Sequence, residues 1–142
     1  MPCVTLPFDP AIGPIFTFGV ALPLSSLSDP SVQQIVWLKA LLDTGCSMIS
    51  ITPTAAQKIG LPKIGKSPVT STTELIESDV FLGDLFIPFD DPHDRFHHFF
   101  RDVRFLEFRF GNVAFDILVG RDVMALGLVQ LNGKTNQCTF AW

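Results

Sequence analysis

Short apolar runs dominate the chain, and each run ends near Gly, Pro, Asp or Ser. Examples are FTFGVALPL at 16–24 and FDILVG at 115–120, and polar stretches such as SSLSDPSV at 25–32 separate them. Short apolar runs with turn residues between them are typical of β-strands. The chain has 142 residues, which is enough to bury one hydrophobic core. The sequence therefore predicts a single mostly-β domain over 1–142, with an N-terminal strand region at 1–24.

Two segments carry further signals of secondary structure. The stretch QQIVWLKALLD at 33–43 fits either a buried helix or strands, and its β-branched residues favour a strand. The stretch PTAAQKI at 53–59 predicts a short helix, with Thr52 as N-cap, Pro53 in the first turn and Gly60 at the end. A second short helix is expected at 121–126.

The second half of the chain is predicted to contain two hairpins and a loop. Residues 67–87 are interpreted as two strands around a polar turn near Thr73 and Glu74. Residues 128–142 are interpreted as a terminal hairpin with a type I′ turn at Asn132-Gly133. Between them, the polar and aromatic segment 88–101 is predicted to be a loop insertion.

The composition limits the partners that the chain can have. Hydrophobic residues make up 47% of the chain and charged residues 17%, a balance that favours a shared apolar interface and so an oligomer. The net charge of −4 and the scattered basic residues argue against nucleic acid. No apolar stretch is long enough to cross a bilayer and no signal peptide is recognised, so we expect no membrane partner and a cytoplasmic location. The 3 cysteines are widely spaced, which predicts neither a disulfide framework nor a Cys-based zinc site.

One acidic residue, Asp43, lies in the otherwise small and apolar stretch ALLDTGCSMISIT at 40–52. A carboxylate in such surroundings is rare unless it is paired or hydrogen-bonded. Further along the chain, a second apolar stretch leads into Gly120-Arg121-Asp122 and a predicted helix. The same arrangement, an apolar strand followed at once by a glycine-containing polar turn, thus occurs twice.

These two stretches resemble the two signatures of retropepsin-like aspartic proteases. LLDTGCSMISIT with AAQKIGLP is similar to their active-site strand and the segment after it, and FDILVGRDVMALGLVQLNG is similar to their second signature. The resemblance extends over about 25–142. It implies a single-lobe closed β-barrel with one or two short helices, which acts as a homodimer on peptide or protein substrates without a cofactor. It also implies that Asp43 is catalytic, that Thr44 and Gly45 support it, and that Gly120, Arg121 and Asp122 are structural.

Hydrolysis of a peptide bond by an activated water fits this pattern. A base must take a proton from the water while an acid polarises the scissile carbonyl. Two carboxylates about 3 Å apart perform both tasks, because like charges at that distance share one proton. The sequence has no second Asp-Thr-Gly or Asp-Ser-Gly, so the second carboxylate is expected from Asp43 of another copy across a twofold axis. The resemblance implies that interleaved terminal strands, here 139–142, hold such a dimer together.

Two positions depart from the family pattern. Retroviral members carry an acid two residues after the motif glycine, and it pairs with the arginine of the second signature. Ser47 occupies that position here, so Arg121 needs a different partner. The flap that closes over substrate is typically glycine-rich at its tip, whereas the candidate flap has Thr72, Thr73, Glu74 and Leu75 there.

Two functions other than proteolysis are also compatible with the sequence. A catalytically inactive dimerisation or peptide-binding domain on the same fold is compatible with both departures. A metal-dependent role would rest on four residues of the predicted loop, His93, Asp94, His97 and His98. Zinc sites need three or four ligands on a rigid frame, so a solvated loop packed by its phenylalanines is the better interpretation and no metal is predicted.

Overall fold

A computed structural model describes residues 2–70, 73–88, 98–109 and 113–141. Within these ranges the chain forms ten strands and two short α-helices. The strands are β1 (Cys3–Pro7), β2 (Ile15–Ala21), β3 (Val36–Leu42), β4 (Ser50–Ile51), β5 (Lys63–Thr70), β6 (Leu75–Ile87), β7 (His98–Glu107), β8 (Ile117–Val119), β9 (Leu128–Asn132) and β10 (Gln137–Ala141). The helices are α1 (Pro53–Ile59) and α2 (Arg121–Met124), and two 3-10 turns span Leu24–Ser26 and Pro30–Val32. No helix in the described part of the chain has the length and apolar character needed to span a membrane.

A ring of six strands forms a closed barrel. The order is β2-β3-β8-β4-β7-β6, and β6 pairs back with β2 to close the ring. β5 pairs with β6 and forms a hairpin at the outside of the ring. The pairs β3–β8 and β4–β7 are parallel, whereas the other pairs of the ring are antiparallel. This confirms the mostly-β, single-lobe barrel with two short helices.

The barrel core is filled by alternate residues of its strands. In β3, Leu38, Ala40 and Leu42 are buried while Lys39 is exposed. A period of two places every second side chain on one face, as in a half-buried strand. The segment at 33–43, for which the sequence allowed a helix or strands, therefore contains a strand, β3. The largest fully buried side chains are aromatic: Phe16, Phe18, Phe105 and Phe140.

The predicted helix at 53–59 forms with both of its caps. The Thr52 hydroxyl accepts a hydrogen bond from the Ala55 N–H, which satisfies one of the unpaired donors of the first turn. Gly60 ends the helix in the left-handed conformation with φ 80°, which a residue without Cβ adopts at least cost. Ala55 and Ala56 are the residues that α1 buries against the barrel.

The chain ends form a separate three-stranded sheet in the order β1-β10-β9. β10 is central, so both of its edges are paired within this chain. The core-facing side chains of this sheet include Val4 of β1 with Cys138 and Phe140 of β10, and burial raises the pKa of the Cys138 thiol to about 11. The first 24 residues contribute one strand, β1, to this sheet and another, β2, to the barrel.

Two local expectations are wrong. The terminal hairpin has no two-residue type I′ turn, because Asn132 pairs with Gln137 and four residues connect them. Asn136 has the positive φ, 50°, while the Asn132 side chain accepts hydrogen bonds from the N–H groups of Lys134 and Thr135 and closes the turn. The predicted loop at 88–101 is also too long, because residues 98–101 belong to β7 and the first three of them pair with β6. Residues 89–97 lie outside the described ranges.

Candidate active site

Asp43 and Gly120 lie side by side because two parallel strands end together. β3 and β8 pair in parallel with Leu42 opposite Val119, so the next residue of each strand emerges at the same end of the barrel. The Asp43 N–H donates to the Val119 carbonyl at 3.1 Å, which continues the ladder by one further bond. The two stretches that are far apart in sequence therefore form one site.

The Asp43 loop, residues 43–49, passes over the end of β8. β8 lies between β3 and β4, so the chain must cross the end of β8 to travel from one neighbour to the other. Gly120 lies directly under this crossing. A Cβ atom at Gly120 would come within 2.5–2.8 Å of the Met48 backbone, which is closer than non-bonded atoms approach. The glycine of the second signature is thus required by the close contact of two backbones.

The Asp43 carboxylate is fixed by its own loop. Its Oδ1 accepts a hydrogen bond from the Gly45 N–H at 2.8 Å, and its carbonyl accepts one from the Cys46 N–H at 3.1 Å. Among the residues that the structure describes, no donor reaches Oδ2, and the side chain is half-buried rather than enclosed. One carboxylate oxygen is therefore held by the protein and the other is left for water or a substrate. Thr44 and Gly45 are both exposed beside it.

The second signature holds the Asp43 loop through hydrogen bonds. The Arg121 guanidinium donates to the Thr44 carbonyl at 3.1 Å, and the backbone N–H groups of Arg121 and Asp122 donate to the carbonyls of Cys46 and Ser47. The Asp122 carboxylate accepts from the Ile49 N–H at 3.0 Å with one oxygen and from the Val123 N–H with the other. With Ser47 in the place of the acid that pairs with this arginine in the family pattern, Arg121 thus has a backbone carbonyl as its partner.

The candidate flap is the hairpin of β5 and β6. Its last pair is Thr70 with Leu75, and Thr73, Glu74 and Leu75 are exposed at the tip, while Thr72 lies outside the described residues. Near the base of the hairpin, Lys63 forms an ion pair with Asp79 at 2.7 Å. This hydrogen bond from Lys63 holds the pKa of Asp79 below its ordinary value of 3.8.

Two cavities adjoin this hairpin. One, of about 350 Å³, is lined by Met48 of the Asp43 loop together with residues of the hairpin, including Ile64 and Lys66, and with Arg104 of β7. The other, of about 720 Å³, lies between the hairpin and the end of β7, where its lining includes Phe108. Because Met48 and residues of the hairpin line the same cavity, one side of the hairpin lies next to the Asp43 loop.

Sequence reasoning missed two buried carboxylates. Asp84 is fully buried in β6, and its oxygens accept from the Leu24 and Asp102 N–H groups, the Gln33 amide and the Arg101 guanidinium. Glu107 is buried at the end of β7 and pairs with Arg109. The signal for Asp84 was a single acid in the apolar stretch VFLGDLFI, the same signal that singled out Asp43. Each of these two carboxylates forms an ion pair with an arginine side chain, so we assign both a structural role.

Of the four residues that suggested a metal site, one lies in the described part of the chain. His93, Asp94 and His97 lie outside the described residues, and His98 stacks edge-on against Phe100 in β7 with the ring centroids 4.7 Å apart. Within the described ranges no group of three or more His, Cys, Asp or Glu side chains is arranged to hold a metal ion. The metal interpretation of the loop therefore stays a hypothesis from sequence.

Comparison with known proteins finds similarity at the level of the fold. No family model matches the sequence, and no curated protein matches it either. Among solved structures, the crystal structure of a retropepsin-like aspartic protease from Rickettsia conorii is similar, with a TM-score of 0.62 and 15% sequence identity. The similarity covers 97% of this chain and 89% of that chain. The chain thus has the single-lobe fold of retropepsin-like proteins, and the similarity takes in nearly all of its length.

Proposed function

We propose that the chain is an aspartic endopeptidase that works as a homodimer, with Asp43 of each copy forming one catalytic pair. The observation that carries this proposal is the position of the Asp43 carboxylate. Asp43 directly follows a barrel strand, and one of its carboxylate oxygens accepts a hydrogen bond from the Gly45 N–H. The second signature holds the Asp43 loop through further hydrogen bonds. This is a rigidly held acid with a free oxygen, as general acid–base chemistry requires.

In the proposed reaction the two Asp43 carboxyl groups carry one proton between them. The ionised carboxylate takes a proton from a water molecule as the water oxygen bonds to the scissile carbonyl carbon. The protonated partner donates its hydrogen to the carbonyl oxygen, which gives a tetrahedral intermediate. Collapse of this intermediate breaks the C–N bond, and the leaving amine receives a proton from the pair. No metal or organic cofactor enters these steps.

The test is the substitution Asp43→Asn, which keeps the shape of the side chain and removes its acid–base chemistry. We expect cleavage of a diverse peptide library between about pH 4 and pH 7 to fall by at least about a thousandfold, with folding unchanged. A matched control is Asp9→Asn, because Asp9 is exposed and its Oδ1 also accepts from the N–H two residues on, at 2.9 Å. Cleavage by Asp43→Asn at the wild-type rate would exclude the mechanism.

A second candidate function is peptide binding without catalysis. The candidate flap supports it, since no glycine occurs between Thr70 and Leu75 to give the tip its usual freedom. This function predicts that wild-type protein binds peptides but releases them intact under every condition of the library assay. It also predicts that a statine-type inhibitor binds no more tightly than an ordinary peptide, since tight binding of a transition-state mimic accompanies catalysis.

A further inference from the structure

We propose that Arg104 selects peptide substrates that carry an acidic side chain about four residues from the scissile bond. The acid would bind in the cavity of about 350 Å³ between the Asp43 loop and the hairpin of β5 and β6, which Met48, Ile64 and Arg104 line. This inference rests on the proposed function, because it names the substrate class of the same site.

A row of four side chains crosses the outer face of the barrel next to the candidate active site. Each member directly follows a residue that packs in the barrel core, so alternation along the strand turns it to the other face. The members lie opposite one another on β3, β8, β4 and β7: Leu41, Leu118, Ser50 and Leu106. The outer face is therefore continuous from β3 to β7.

Asp43 and Arg104 belong to the next row of this face. Asp43 comes two residues after Leu41, and Arg104 comes two residues before Leu106. Residues two apart in a strand share a face. β7 runs antiparallel to β3, because β3 and β8 are parallel, β8 and β4 antiparallel, and β4 and β7 parallel. Both steps therefore lead in the same direction, and the two side chains lie on the same side of the sheet.

The positions between Asp43 and Arg104 are taken by Gly120 and Met48. A Cβ at Gly120 would touch the Met48 backbone, and Met48 lines the same cavity as Arg104. Three strand spacings of about 4.8 Å therefore separate Asp43 from Arg104, roughly 14 Å in all. An extended peptide that follows this row from Asp43 covers the distance in about four residues. Twofold symmetry repeats the arrangement, so the preference applies on either side of the scissile bond.

Arg104 brings a positive charge to this cavity. Its guanidinium has no hydrogen-bond or ion-pair partner among the residues that the structure describes, whereas Arg101 and Arg109 pair with buried carboxylates. The other cation of the lining, Lys66, lies 4.0 Å from a carboxylate oxygen of Glu77, and none of the described residues that line the cavity is acidic. An exposed guanidinium beside a cavity without acids favours a negatively charged ligand.

The walls of the cavity suit a long acidic side chain. Met48, Ile64 and Val80 are apolar, and Ser67 adds a hydroxyl group. We expect the methylene groups of a glutamate to pack on the apolar lining while its carboxylate accepts two hydrogen bonds from the Arg104 guanidinium. A lysine at the same position of the substrate would bring a like charge, and a glutamine would lose the charge-assisted bonds.

The first experiment measures kcat/KM for paired peptides that differ only in Glu or Gln about four residues from the cleaved bond. At about pH 6, where the glutamate is ionised, we expect the wild type to favour Glu by at least about tenfold. Arg104→Gln should reduce this ratio to about one and cleave the Gln peptides at the wild-type rate. Lys58→Gln, which removes an exposed cation from α1, is the control and should keep the wild-type ratio. Equal ratios in the wild type and Arg104→Gln would overturn the inference.

A charge reversal distinguishes direct recognition from a structural role of Arg104. We expect Arg104→Glu to cleave peptides with Lys at this position faster than peptides with Glu, because the sign of the favoured charge is inverted. A variant that is merely destabilised would lose activity on both peptides in the same proportion. Proportional loss would therefore contradict recognition of the acid by Arg104.

Binding measurements test the same contact without catalysis. In the Asp43→Asn background, fluorescence anisotropy of labelled peptides should show at least about tenfold tighter binding of the Glu peptide than of the Gln peptide. Adding Arg104→Gln should remove the difference. An undiminished difference in the double variant would exclude Arg104 as the group that binds the acid.

The readouts separate failure of this inference from failure of the proposed function. Tighter binding of Glu peptides that depends on Arg104, without cleavage by the wild type, supports the inference and excludes proteolysis. Cleavage with no preference for an acid supports proteolysis and overturns the inference. A wild-type chain that neither binds nor cleaves these peptides overturns both.

Discussion

Gly120 is the residue at which the two signature segments touch. We expect Gly120→Ala to lower the free energy of unfolding by at least about 2 kcal/mol, because its Cβ would meet the Met48 backbone at 2.5–2.8 Å and the Asp43 loop would have to move. Urea denaturation measures this change. The control is Gly133→Ala, where an added Cβ meets nothing within 4 Å and stability should change by less than about 0.5 kcal/mol. Equal stability of the two variants would contradict the close packing of the loop on β8.

Asp43 and Asp84 show how far a single residue can be interpreted without its neighbours. Each is a lone acid in an apolar stretch, which indicates that the carboxylate is paired with a cation or hydrogen-bonded. The partners distinguish them: Asp84 is enclosed by four donors, whereas Asp43 keeps one oxygen accessible. Motif spacing singled out Asp43, but only contacts between distant segments assigned Asp84 a structural role.

At the scale of elements, Asp84 joins β6 to the turn after β2 and to β7. We expect Asp84→Asn to destabilise the chain by about 2–3 kcal/mol, because the new amide would place donors against N–H groups and leave Arg101 without its charge partner. Thermal and urea unfolding both measure this. Asp29→Asn is the control, since its side chain is exposed and should change stability by less than about 1 kcal/mol. A loss at Asp84 no larger than that of the control would contradict the buried network.

The hairpin of β5 and β6 carries an acid-sensitive contact. Because Lys63 lowers the pKa of Asp79 below 3.8, the ion pair stabilises the hairpin above that value, and this contribution is lost as the pH falls through the pKa of the folded state. We expect amide protection in β5 and the first half of β6 to stay constant down to the ordinary pKa of 3.8 and to decrease as the pH falls below it, measured by hydrogen exchange and corrected for the intrinsic rate. In Lys63→Met this decrease should be smaller. An identical pH profile for both proteins would show that the pair does not stabilise the hairpin.

Most strands and helices could be predicted from the sequence, but the first and last residues of several strands could not. Thr52, Pro53 and Gly60 marked both ends of α1 correctly, because capping is decided by a few neighbouring residues. The turn after Asn132 and the start of β7 were misplaced, because strand pairing rather than local turn preference decides where a hairpin connection begins. For the same reason, the sequence does not decide between helix and strand at 33–43, where pairing with β2 and β8 makes the segment a strand.

At the scale of the whole molecule, the proposed dimer makes the two active-site acids interdependent. If wild-type protein is mixed in equal amounts with Asp43→Asn and allowed to re-equilibrate, random pairing leaves roughly a quarter of the dimers with two acids. We expect activity per total protein to fall to about a quarter of that of the wild type. Chains that act independently would retain about half.

The matched mixture uses Asp9→Asn, which should leave activity unchanged at every ratio. A linear dependence on the fraction of wild-type chain in the Asp43→Asn mixture would exclude a shared catalytic pair. This measurement examines the number of acids in the site and is independent of which surface joins the two copies.

By itself, the sequence determined what is encoded in consecutive residues: a β-rich chain, a capped helix, and two polar turns that each follow an apolar strand. The tertiary structure alone decided which distant segments meet. It placed Gly120 under Met48, gave Arg121 the Thr44 carbonyl as its partner, and enclosed Asp84. It also paired β10 on both sides and left β9 at the edge. The physical reason is that hydrogen bonds and packing between strands depend on pairing across the chain, which local preference does not specify.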